Sequence, residues 1–129
     1  MYTKLNVLLV TAFLSLGITA NAHHSFSAVF DVETPVNVSG TVTKVEWMNP
    51  HAWIYVDVEG ENGNFVNWEF ELGSPNGLRR RGWSRDTVKV DDVIRVSGYR
   101  ARDGSNRGNV ASITLADGRE MIGNSSRYK

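Results

Sequence analysis

Two neighbouring stretches of the chain alternate apolar and polar residues with a period of two, and this restricts the fold more than any other feature. In 51–58, Ala52, Ile54, Val56 and Val58 share one face, while His51, Trp53, Tyr55 and Asp57 share the other. In 66–72, Val66, Trp68, Phe70 and Leu72 alternate with Asn67, Glu69 and Glu71. Successive side chains of a strand point to opposite sides of a sheet, so each stretch has a core face and an outer face. The turn residues from Glu59 to Gly63 join the two as a hairpin.

The flanking segments extend this β pattern. Val36 to Trp47 is rich in β-branched residues and predicts a long strand with a bulge or bend at Gly40, ended by Asn49-Pro50. Ser74-Pro75-Asn76 predicts a helix start, because serine caps orphan amides and proline suits the first helical position. Leu78 to Arg81 would be that helix and Gly82 its stop. A loop to Val88 and an Asp91-Asp92 turn lead to a strand from Val93 to Arg102, with Ile94, Val96 and Gly98 facing inward. Gly104 and Gly108 bracket a hairpin loop, and Val110 to Ala116 make the last strong strand. The order strand, strand, strand, short helix, strand, strand predicts an all-β fold, a five-stranded small β-barrel of OB type. SH3-like barrels and an open meander compete with it.

The amino terminus predicts export. A positively charged start with Lys4 leads into the apolar run Val7 to Leu14, extended by Leu16 and Ile18, and then Ala20-Asn21-Ala22. The run is shorter than the roughly 20 apolar residues a membrane helix needs. The expected organisation is a signal peptide over 1–22, a leader over 23–35, the barrel over 36–120 and a frayed tail over 121–129. The chain has no cysteine, so no disulfide helps a domain of about a hundred residues, and packing must hold it in a periplasm or outside the cell. The 14 basic and 14 acidic residues balance, and losing Lys4 tips the mature chain only slightly acidic, which argues against a polyanion partner such as nucleic acid.

Ala22-His23-His24-Ser25-Phe26, Gly40-Thr41-Val42, Val45-Glu46-Trp47, Asn49-Pro50-His51-Ala52-Trp53, Ser74-Pro75-Asn76 and Arg81-Gly82-Trp83, with Asp92-Val93 and Gly98, resemble one family. It is a family of small exported bacterial proteins known only as a domain of unknown function. The likeness spans nearly all of the mature chain, and Asn-Pro-His-Ala-Trp is its most specific part. It implies export and a small β-barrel and carries no catalytic residues across.

All three histidines, His23, His24 and His51, survive cleavage after Ala22. That cleavage puts His23 at the terminus, where its α-amine and imidazole form one chelate. A terminal amine titrates near pH 7.7 to 8.0, so a metal displaces its proton at small cost near neutrality. Copper(II) tops the divalent affinity order for nitrogen ligands, which makes a histidine brace of His23 with His51, or with His24, the leading metal reading. Cleavage after Ala20 would leave histidine third, which also chelates copper, so affinity at the terminus alone carries little meaning. The plainer reading places His23 and His24 in the leader and His51 in a turn, bonded to backbone. Zinc would need a carboxylate such as Glu46, Glu69 or Asp31 as its fourth ligand. Met48 and Met121 are soft sulfur donors that more often serve packing.

Trp53 and Tyr55 share the outer face with His51, where OB-type barrels hold ligands, unless the leader from Phe26 to Phe30 covers them. Arg79, Arg80 and Arg81, with Arg85, form the dense basic cluster, either a solvated helix end or a receptor for an anionic ligand. Glu69 and Glu71 have the spacing of a carboxylate pair, yet no nucleophile elbow, phosphate-cradling glycine loop or His-Glu-x-x-His motif accompanies them. The sequence therefore predicts a binding module more than an enzyme: a copper carrier, store or delivery protein, or a metal-free module for a periplasmic protein or small ligand built on Trp53, Tyr55 and the arginines.

Overall fold

A computed structural model describes residues 26–124. Its strands are β1 (Phe30–Glu46), β2 (Trp53–Glu59), β3 (Phe65–Glu71), β4 (Val93–Ala101), β5 (Arg107–Thr114) and β6 (Glu120–Ile122), with helix α1 (Pro75–Arg79) between β3 and β4. They form one six-stranded sheet in the order β3-β2-β1-β4-β5-β6. All neighbours in that order pair antiparallel, and a further parallel pairing of β3 with β5 closes the sheet into a ring. The fold is mostly β with little helix, as the alternation predicts.

The hairpin register sets the predicted faces against each other. Ile54 pairs with Phe70, Val56 with Trp68 and Val58 with Val66. Ala52, Ile54, Val56, Phe70 and Leu72 are all buried, as are Ile94, Val96, Val110 and Ile113 from the other side of the ring. The apolar face runs out at the turn end of the hairpin, where Val66 and Phe65 are exposed. A fully buried side chain of this size contributes about 1.5–3 kcal/mol, so this interior is the main stabilising element of a chain without disulfides.

Several boundaries differ from the sequence reading. The first strand begins at Phe30 rather than Val36, because the pairing with β4 resumes upstream at Asp31 and Phe30 after an interruption between Asp31 and Pro35. The Asp31 carboxylate accepts the Glu33 amide and the Thr34 hydroxyl, and this local turn absorbs Val32, Glu33 and Thr34, which skip the ladder before Pro35 rejoins it opposite Tyr99. The segment from 121 onward, expected to fray, instead supplies β6. Gly123 donates to the Ala111 carbonyl and accepts from the Gly73 amide, and the Trp83 indole nitrogen donates to Ile122 O at 2.9 Å. Residues 125–129 lie outside the described residues. The register break on the β1–β2 side falls between Val42 and Lys44 rather than at Gly40.

The short helix starts at Pro75, as Ser74-Pro75 predicts, and stops at Arg79 rather than Arg81. Ser74 Oγ accepts the Gly77 amide at 3.1 Å, Pro75 occupies the first turn, and Gly82 takes φ +89°, where an L side chain is strained. Leu78 and Trp83 then join the core.

Gly98 serves a close approach. A Cβ there would lie 2.0 Å from the Asn109 carbonyl oxygen, at a register shift between Ser97 and Gly98. Gly98→Ala should therefore lower stability by about 3 kcal/mol or more, whereas Gly82→Ala, strained in φ but with open space around it, should cost about 1 kcal/mol. Urea unfolding of the two variants checks the ranking.

Candidate functional site

The β2–β3 hairpin places Trp53 opposite Glu71. His51, two residues before Trp53, projects from the same side, so its ring meets Glu71 on the diagonal. Nδ1 of His51 lies 2.5 Å from Glu71 Oε1, and of the two side chains the carboxylate is much the better buried, 16% exposed against 48%. The bond thus goes to a carboxylate and not to backbone. Burial holds the Glu71 carboxyl above its ordinary value, against the opposing pull of His51 and of Arg107.

This pair borders a cleft of about 540 Å³. Phe26 and Phe30 line one part of it, Arg80 and Arg81 another, and Asn109 and Asn124 a third. Asn109 is buried, and its Oδ1 accepts from Asn124 Nδ2 at 2.5 Å. Phe26 reaches this position because residues 26–29 form a helical turn tied to β4: Arg102 donates through Nε to Ser27 O and through its amide to Val29 O. The Phe26 ring packs on Phe30 at 5.4 Å and edge-on to Tyr99 at 6.4 Å. This part of the leader therefore meets Tyr99 on β4, while Trp53 and Tyr55 find other neighbours.

The chain divides the arginine cluster. Arg80 and Arg81 line the cleft, whereas Arg79 donates to Asn76 Oδ1 and lies over the Trp47 ring at 5.8 Å. On the outer face, Arg107 sits over Trp53 at 5.0 Å and Lys44 over Tyr55 at 5.0 Å, each ring attracting a cation to its π-face. Tyr55 Oη donates to Glu46, which also pairs with Lys44, and Arg107 Nε pairs with Glu69 at 2.8 Å. Glu69 and Glu71 thus have separate partners. Desolvation, then the bond to Glu46, raises the Tyr55 phenol above its usual value, while the bond from Lys44 holds the Glu46 carboxyl below its own.

Over residues 12–111 the chain matches a family of unknown function, DUF6152. The chain belongs to the DUF6152 family. No curated protein and no solved structure matches it significantly. The portion matched to DUF6152 contains His51, Glu71, Arg80, Arg81 and Asn109, so most of the cleft lies within the family region, while Asn124 and β6 follow it.

Among the described residues no three histidine, cysteine, aspartate or glutamate side chains form a metal-holding group. His23 and His24 lie outside the described residues. The carboxylates considered for zinc have other partners: Glu46 and Glu69 as above, and Asp31 beside Arg102 at 3.7 Å. Met121 packs on the core and Met48 is exposed.

The raised Glu71 carboxyl has a consequence for stability. A group whose pKa is higher folded than unfolded stabilises the fold at pH below its ordinary value, near 4.3, and that contribution is lost as the pH rises through the raised value. Replacing Glu71 by glutamine keeps an acceptor for His51 and removes the buried charge. The stability of Glu71→Gln relative to the parent should therefore rise from pH 4 to pH 7, by about 1 kcal/mol, because His51 and Arg107 offset part of the burial penalty. Thermal unfolding at both pH values measures the difference, and a flat or falling difference contradicts it.

Proposed function

We propose that the chain is exported, loses residues 1–22, and acts in the periplasm or outside the cell as a binding module of OB type that holds copper(II) between its new amino terminus and His51. The OB reading is supported by the strand order. The helix falls between β3 and β4, β1 serves as a long shared strand, and β3 meets β5 in parallel. Here β6 is an addition to the five-stranded plan.

The observation that carries the copper reading is that Phe26 and His51 line the same cleft. His23 precedes Phe26 by three residues, which span at most about 10 Å when extended. That short tether to a residue of the cleft supports drawing the terminal amine and imidazole of His23 toward His51. Glu71 on Nδ1 fits this role as well. A carboxylate that holds one ring nitrogen of a metal-binding histidine orients the ring and leaves the other nitrogen for the metal. His24 is the alternative second imidazole. The amine and two imidazoles suit copper(II), and such a small site fits carriage, storage or delivery.

Copper titration of the processed protein tests the reading. His51→Ala, and separately one extra residue placed before His23, should each weaken copper(II) binding at least tenfold. Equal affinity in all three proteins would leave only the chelation any histidine-bearing terminus performs. Intact-mass measurement of the exported protein should place cleavage after Ala22.

A further inference from the structure

We infer that the cleft binds an amphiphilic carboxylate, its anionic head on Arg80 and Arg81 and its apolar body against Phe26 and Val29, without any metal. The inference does not depend on the copper reading, because it rests on Arg80, Arg81 and the apolar wall and not on the histidines. Its first ground is charge. The guanidinium groups of Arg80 and Arg81 make no hydrogen bond or ion pair with any described residue, although both line the cleft. The acid of that cleft, Glu71, is engaged by His51. Among the described lining residues, two fixed positive charges thus stand against one carboxylate, which leaves that lining net positive.

The second ground is shape and composition. The cleft's volume of about 540 Å³ lies within the range of small-molecule sites, which join an apolar wall to a few convergent polar groups. Phe30 and Leu72 are buried behind that wall, while Val29 is 42% exposed and offers its side chain to an incoming apolar group. Arginine forks match a carboxylate with paired N–H donors. An inorganic anion would use the arginines and leave the wall unused, and a neutral lipid would use the wall and leave the two guanidinium groups unmatched. A ligand with both parts satisfies both surfaces.

Calorimetric titration with decanoate, run on the processed protein with a metal chelator present, tests this. Binding should appear, and decanol and acetate should each bind at least tenfold more weakly. The double variant Arg80→Gln with Arg81→Gln, whose fold is checked by near-ultraviolet circular dichroism, should lose at least tenfold for decanoate and leave the weak binding of decanol unchanged. Val29→Asp should weaken decanoate without affecting copper(II). Absence of decanoate binding, equal binding of acetate, an unchanged double variant, or binding that requires copper would each overturn the inference. Failure of the copper titration alone would leave it standing.

Discussion

The closure of the sheet along β3 and β5 is the contact on which the rest of the molecule depends. Only three register pairs make it, Glu69 with Arg107, Phe70 with Gly108, and Glu71 with Asn109. The middle pair explains how such a short seam closes. The Phe70 ring lies 2.8 Å from where a Cβ on Gly108 would stand, so the absence of a side chain lets the largest fully buried residue fill the join. A missing methylene elsewhere in the core leaves a cavity; an added methyl here would push the two edges apart.

The same seam assembles the candidate site. Glu71 and Asn109 face each other across it and both line the cleft. On its outer side the Arg107–Glu69 ion pair spans the join, and the guanidinium also covers Trp53. An aromatic surface that would otherwise face water is thereby capped by charge. The segment after β3 completes the arrangement, because the capped turn of α1 carries Arg80 and Arg81 back over the cleft while Arg79 turns away to Trp47. Glu71 is the costly member: burial penalises its charge, and His51 and Arg107 offset that only in part. A carboxylate kept in such a place fixes the orientation of the histidine beside it.

Much of the fold was legible because its signals are local. The period-two stretches named Ala52, Ile54, Val56, Phe70 and Leu72 as core, and each is buried. Ser74-Pro75 marked the helix start, since capping involves neighbours a few residues apart, while the helix stops at Arg79 and Gly82 takes its positive φ in the turn beyond. The start of β1 and the existence of β6 were missed, because β6 has three residues and no alternation long enough to read, and Phe30 is separated from the rest of its strand by the Asp31 turn. His51, Arg80 and Arg81 were singled out by residue type, yet nothing in their spacing joined them to each other or to Asn109.

The sequence alone determined the β class, the faces of the hairpin, the start of the helix and which polar side chains were on offer, since each depends on residues close together in the chain. The tertiary structure decided which of those side chains meet. The β3–β5 seam joins residues nearly forty positions apart, and its parallel register leaves no trace in either strand's own pattern. A local period specifies which way a side chain points, and only the closure of the ring specifies what it faces.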